Sequence, residues 1–347
     1  MKTKTIVLDK KSKQQCEDET NAFIVDLKSK VKALFGEYRA IKLPGYMYFN
    51  LDEKSKTAML HIQKAKWKKE DGSIIFHNAT IENMQTDDAA FEGWAVCLMA
   101  WLPEKVQRVM LDWDEPEDKN GHYNRFMYRV FKFTNSYPWL IIPENKKRLV
   151  SEFAKGLINL ENNCGNKDPD EKEKQGENMV EYRMIHTFGE EMCEKFNLTT
   201  IDHQLPIGIR KNGKSFFTGH ASAIDIWGLN NKTLSLFELK FSKKKTPNEK
   251  VGIISELFLY TSVMADIISG KINPPTNCNR KNEILLYKQI RDIKCINAYM
   301  LTDGFHPLIE KNEILDILNA GKRDDGISIN YIQHKYKYSF DPDRIVL

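Results

Sequence analysis

Residues 219–241, Gly219-His-Ala-Ser-Ala-Ile-Asp225-Ile-Trp-Gly-Leu-Asn-Asn-Lys-Thr-Leu-Ser-Leu-Phe-Glu238-Leu-Lys240-Phe241, read as two β-strands joined by a tight turn. β-branched, aromatic and aliphatic residues flank Asn230 and Asn231, types that tolerate left-handed backbone, so these two are expected to form the turn. A two-residue turn at that point pairs Asp225 with Leu236 and sets Glu238 one diagonal step away on the same face. Side chains alternate along a strand, so Lys240 shares that face. Two carboxylates and one ammonium are therefore expected within reach of a single metal ion.

This pattern, Asp225 and then Glu238-Leu239-Lys240 on the next strand, resembles the PD-(D/E)XK nuclease superfamily, the restriction-endonuclease-like fold. The resemblance implies that Asp225, Glu238 and the backbone carbonyl of Leu239 bind Mg²⁺ or Mn²⁺, and that Lys240 positions or activates the attacking water. Ile224 stands where the motif's name has proline. The chain is 29% charged, and the same residues also suit a surface hairpin with a solvated salt bridge.

The whole chain sets bounds on this. Its 347 residues leave room for two domains and a sizeable core. A hydrophobic share of 41% and a mean hydropathy of −0.52 describe a soluble globular protein. No run of about 18 apolar residues is evident, so no membrane partner is expected. The first ten residues turn polar too soon for a secretory signal, and a cytoplasmic address is expected. Six cysteines without a Cys-x-x-Cys pair argue against a zinc ribbon and against a disulfide framework. A net charge of +4 and a pI near 8.5 are mildly basic, so any nucleic-acid contact must come from local patches.

Residues 1–160 read as an α+β N-terminal domain of unassigned role. Phe23, Ile24, Leu27, Val31 and Leu34 recur at helical spacing, and strand-like runs cover 45–51, 57–62 and 73–77, with Asp71-Gly72 as a hairpin signal. Ala89 to Trp101 suits a buried helix. Asp112 to Asp118 is an acidic loop without the spacing of a calcium-binding EF-hand loop, and a solvated loop is expected. In Asn124 to Phe133, Arg125, Arg129 and Lys132 alternate with aromatic residues. That suits either a helix packing its aromatic face into a core or a nucleic-acid groove. The very polar stretch 161–175 is expected as a linker.

Residues 176–347 then form the domain covered by the resemblance. Glu177 to Phe196 is expected as one amphipathic helix, with Glu181 on its inward stripe. A buried carboxylate there needs a partner. In the resembling family the first core helix often supplies a Glu near the metal, which assigns Glu181 to the catalytic and metal-binding set, with Glu177 as second choice. Gly208-Ile-Arg-Lys-Asn-Gly-Lys-Ser215 matches the spacing of a nucleotide-hydrolase phosphate loop, but strand-like residues follow it where that loop needs a helix, and Asn212-Gly213 reads as a hairpin turn.

After the central hairpin, Lys243, Lys244, Lys245 and Lys250 are placed either to attract phosphates or simply to be solvated. On the following helix, Glu256 and Tyr260 stand where several branches of the family carry Gln-x-x-x-Tyr beside the active site. These five, Lys243, Lys244, Lys245, Glu256 and Tyr260, form the candidate substrate-binding set, although for Tyr260 a structural role pointing into the core is the favoured reading.

A strand at 296–301, a helix from Pro307 to Ala320 and a last strand from Ile327 to Tyr336 complete the helix and strand order of the nuclease core. The expected fold class is α/β: a restriction-endonuclease-like three-layer core, with a central mixed sheet flanked by helices, preceded by the α+β domain. The resemblance implies a metal-dependent hydrolase of phosphodiesters in nucleic acid, DNA being the expected partner. A homodimer would suit two-strand cutting. The competing readings are a non-catalytic member of the fold that binds nucleic acid or protein, and a nucleotide hydrolase using the Gly208–Ser215 loop.

Overall fold

The computed structural model describes residues 7–8, 21–36, 41, 43–68, 74–82, 89–164, 176–217, 222–242, 251–340 and 343–347. Two compact units divide the chain. One comprises Met1–Ala154 with Pro307–Ile317, the other Lys155–His306 with Leu318–Leu347.

In the first unit, β1 (Val7–Leu8) is followed by α1 (Asn21–Phe35), which buries Phe23, Ile24, Leu27 and Val31 and leaves Leu34 exposed. Strands β2 (Met47–Asp52), β3 (Thr57–Ile62), β4 (Lys64–Lys68) and β5 (Ile74–Asn78) come next. β4 and β5 pair antiparallel, and the Asp71-Gly72 signal between them lies outside the described residues. Helix α2 (Phe91–Trp101), β6 (Arg108–Trp113), α3 (Gly121–Ser136), β7 (Leu140–Ile141) and α4 (Glu144–Lys155) complete the run. β2, β3, β6 and β7 form one sheet, antiparallel at β2–β3 and parallel thereafter.

Two features of this unit answer questions left open by its sequence. On α3, Phe126, Tyr128 and Phe133 are buried, so the aromatic face is core. Arg129 is buried with them, and its Nε donates to Oε1 of the fully buried Glu92 at 2.7 Å. The acidic stretch is tied down rather than solvated throughout, since His61 lies 3.3 Å from Asp112 and 3.2 Å from Asp114.

The second unit begins before the polar stretch, because β8 (Leu160–Asn162) pairs with β10 (Ile209–Lys211). Residues 165–175 of the expected linker lie outside the described residues. The single helix expected over 177–196 is two helices, α5 (Glu177–His186) and α6 (Gly189–Phe196). Thr187 and Gly189 are weak helix formers, and Phe188 between them leaves helical backbone, with φ −116° and ψ 22°. Strand β9 (Thr200–Pro206) follows, and after β10 the chain turns through Asn212 and Gly213, both at positive φ, into β11 (Lys214–Ser215). The Gly208–Ser215 segment is therefore a hairpin and offers no helix N-terminus to a phosphate.

β12 (Ala223–Asn230) and β13 (Thr233–Lys240) form the central hairpin. Its turn is Asn231-Lys232, with Asn231 at φ +51°, one residue later than expected. Trp227 rather than Asp225 therefore faces Leu236. A register displaced by two residues keeps every side chain on its expected face, because strand side chains alternate. Helices α7 (Gly252–Ser269) and α8 (Lys281–Lys288), β14 (Cys295–Thr302), α9 (Glu313–Asn319), β15 (Ser328–Lys335), β16 (Lys337–Phe340) and β17 (Asp343–Val346) finish the chain. The helix expected from Pro307 shrinks to α9. Leu308 O accepts from Trp101 Nε1 at 2.8 Å and Lys311 Nζ donates to Ala100 O at 2.7 Å, which holds the preceding segment against α2.

The main sheet runs β15-β14-β13-β12-β9, with β9, β12 and β13 antiparallel and β13, β14 and β15 parallel. Alternation sends Ile226, Phe237, Leu239, Tyr299 and Leu301 into a core with Val180, Met184 and Met192 of α5 and α6. α7 packs on β13 and β14. By length and composition α7 could cross a membrane, an apolar run that the sequence reading passed over. In the fold it is a buried core helix carrying Glu256 and Asp266.

Gly228 is fixed by close approach. A Cβ there would meet Leu198 Cδ1 at 2.7 Å and the Thr200 carbonyl oxygen at 2.8 Å, and the latter is backbone that cannot swing away. Gly228→Ala is expected to destabilise the fold by about 1–3 kcal/mol, read as a lower urea midpoint at unchanged m-value.

Candidate metal and catalytic site

The site is built where strand β13 ends. Leu239 points its side chain into the core, which turns Glu238 and Lys240 to the opposite face, beneath α7. Glu238 is 2% exposed and Glu256, from the second turn of α7, is 6% exposed. Lys240 Nζ donates to Glu238 Oε1, lies 3.2 Å from Glu256 Oε2 and reaches to 3.8 Å from Glu177 Oε1 on α5. Glu177 also caps the strand end, its Oε2 accepting from Phe241 N at 3.0 Å. Tyr336 Oη donates to the Lys240 carbonyl at 3.2 Å, fixing the backbone of the lysine from the far side of the sheet.

Asp225 enters from β12. The β12–β13 ladder ends at Ile226–Phe237, and one step further the Leu239 amide is taken by Asp225 Oδ2 at 2.8 Å instead of by backbone. The carboxylate thus replaces a rung of the sheet and is held against the segment Glu238-Leu239-Lys240. Glu181, 4% exposed on α5, comes from the third direction. Its Oε1 accepts from Gln204 Nε2 at 2.7 Å and lies 3.7 Å from His203 Nδ1.

Four carboxylates (Glu177, Asp225, Glu238 and Glu256) therefore act on one ammonium, Lys240, while Glu181 meets Asp225, Glu177 and the Arg280 guanidinium. Burial raises Asp225 to about 7, with Glu177 and Glu256 adding repulsion against the attraction of Lys240. Burial and the Asp225 charge raise Glu181 to about 8. Glu238 is pushed well above the usual carboxylate range by burial, then by Asp225 and Glu256. Lys240 is held well above the usual lysine value, because the surrounding carboxylates outweigh its own burial. Among the described residues the buried Glu238 Oε2 atom has no hydrogen-bond partner. Such an acceptor beside closely packed carboxyl groups fits a hard divalent cation, which prefers oxygen ligands. Among the described residues no three His, Cys, Asp or Glu side chains already form a closed metal cage. Lys240 Nζ instead bridges Glu238 and Glu256.

No family model, curated protein or solved structure matches this chain. The chemistry of the site rests on its own geometry.

The structure brings together Asp225, Glu238, Leu239, Lys240, Glu181, Glu177 and Glu256. Tyr260 lies one turn after Glu256 and is buried. Lys243, Lys244, Lys245 and Lys250 lie outside the described residues. Gln204, Arg280 and Tyr336 were not singled out by sequence, since nothing in their local pattern separates them from ordinary strand, loop or core residues.

The carboxyl shifts set a pH dependence. Asp225 and Glu181 bind protons more tightly folded than unfolded, with unfolded values of 3.8 and 4.5. Their contribution to stability is complete below those values and is lost as the pH rises through about 7 and about 8. In chelator, the urea midpoint of the wild type is expected to fall between pH 5 and pH 8.5. In the Asp225→Asn and Glu181→Gln double variant that fall should shrink, the remainder being carried by Glu238.

Proposed function

We propose that the chain is a divalent-cation-dependent phosphodiesterase acting on nucleic acid, with DNA the expected substrate, and that its second unit has the restriction-endonuclease-like fold. The observation that carries this reading is the union of Asp225 and Glu238 with Lys240 at the ends of two neighbouring strands, with one Glu238 oxygen buried and without a hydrogen-bond partner among the described residues. The element order supports it as well. A helix precedes three antiparallel strands, and a crossover through α7 and α8 leads to a strand parallel to the third.

Asp225 and Glu238, with the Leu239 carbonyl and Glu181 beside them, would hold Mg²⁺ or Mn²⁺. When bound, the cation supplies charge for a phosphoryl oxygen and lowers the pKa of a coordinated water. The protein's own groups do the rest. Lys240, kept protonated by the carboxylates around it, donates hydrogen bonds to the attacking water or to the growing negative charge. Glu256 and Glu177 hold the Lys240 ammonium in place. Glu177 also anchors the Phe241 amide.

The test incubates the purified chain with plasmid DNA, single-stranded DNA and RNA, with Mg²⁺ or with chelator. Cleavage is expected with Mg²⁺ and absent with chelator. Asp225→Ala and Lys240→Ala should each reduce the rate by about 10²–10³-fold, while circular dichroism shows a folded chain; Lys240→Ala is also expected to lower the urea midpoint, because Glu238 loses its partner. Cutting at the parent rate by either variant would overturn the assignment. Binding without any product in Mg²⁺ or Mn²⁺ would mark a non-catalytic binder instead.

A further inference from the structure

Strand β9 carries a backbone irregularity directly beside the site. Gln204 lies within the strand at φ +49°, in the left-handed region that side-chain-bearing residues avoid. The β9–β12 ladder pairs Ile224 with Leu205 and Ile226 with His203, and it skips the step between them, where Gln204 would face Asp225. A side-chain-bearing residue in that region is strained and persists only where its surroundings over-determine it.

Those surroundings are explicit. Arg280, ahead of α8, donates from Nη1 to the carbonyls of His203 at 2.8 Å and Gln204 at 3.1 Å. Its Nη2 donates to Asp202, and Glu283, which is fully buried, accepts from Nη1 at 3.1 Å. Two carboxylates thus aim one guanidinium at two successive carbonyls flanking the irregular residue. A planar fork with fixed donor directions suits this role where a lysine would not. The outcome of the distortion is a single contact: the Gln204 amide turns to Glu181 and donates to Oε1 at 2.7 Å.

The geometry points to Gln204, clamped by Arg280, as the positioning residue that orients Glu181 toward Asp225 as an oxygen ligand for the cation. This rests on the phosphodiesterase reading and adds to it the part of the chain that governs cation affinity. The Gln204 amide holds the Glu181 carboxylate in one orientation by donating to Oε1, and losing that donor leaves the carboxylate free to turn away. Partners of this kind behind a metal ligand typically govern 10–100-fold in affinity.

The experiment is Mn²⁺ binding by isothermal titration calorimetry, with thermal unfolding in chelator, on four proteins: wild type, Gln204→Gly, Glu181→Gln and the double variant. Glycine accepts positive φ, so Gln204→Gly is expected to unfold no lower than wild type yet bind Mn²⁺ about tenfold or more weakly. In the double variant affinity should equal that of Glu181→Gln alone, because Gln204 acts only through Glu181. Gln204→Asn, which tolerates positive φ but has a shorter amide, should lose affinity as the glycine variant does. Wild-type affinity in Gln204→Gly, or a further loss in the double variant, would remove the positioning role while leaving the phosphodiesterase reading in place. No Mn²⁺ binding by the wild type would remove both.

Discussion

The end of strand β13 depends on one ammonium among carboxylates. Glu238 is almost wholly buried, and a bare carboxylate there would cost several kcal/mol. Lys240, two residues on and therefore on the same face, meets that charge and is itself pinned by Glu256 from α7 and Glu177 from α5. Helices on both faces of the sheet thus converge on one strand end. Among the described residues the same contacts leave three carboxylates around that one ammonium, an excess of acidic groups.

That excess separates this cluster from the buried pair of Arg129 and Glu92. Arg129 and Glu92 in the first unit match one guanidinium to one carboxylate, both Glu92 oxygens have donors, and neither side chain is solvated. The pair is complete. At Glu238 one oxygen has a lysine and the other has no hydrogen-bond partner among the described residues, while Asp225 and Glu256 add repulsion. Burial is similar in the two places and the stoichiometry is opposite. Pairing alone explains the first, and among the described residues it leaves the second with more carboxyl groups than cations.

Much of this was legible in the sequence, and for a physical reason. The two-residue period of a strand places Glu238 with Lys240 regardless of the exact turn, so the register could move by two residues without disturbing the face on which the motif sits. Helical spacing likewise put Glu181 on the buried stripe of α5. What stayed hidden was set by tertiary contact. The break at Phe188, the left-handed Gln204 and the reach of Arg280 across more than seventy positions depend on neighbours distant in sequence. The segment after Pro307 has helical periodicity, yet Trp101 and Ala100 hold its first part in another conformation.

Strain and unbalanced charge occupy the same small region, and the rest of the second unit is built to tolerate them. Trp227 and Leu236 fill one face of the hairpin, while Phe237 and Tyr299 stack with ring centroids 4.6 Å apart on the other. Every strand of the main sheet except the two at its edges is paired on both sides. Such a core over-determines the positions of β12 and β13, so Asp225 can replace a backbone rung and Gln204 can hold an unfavourable dihedral without the sheet relaxing. Relaxation would in fact be easy to achieve with glycine at 204 and an amide at 238. The chain carries the costlier residues at both places, and the costs converge on one point bounded by Asp225, Glu181 and Glu238. A binding event that brings positive charge to that point offsets the charge repulsion and gives the Gln204 distortion a use, which is why the strained strand and the crowded carboxylates are best understood as parts of a single device.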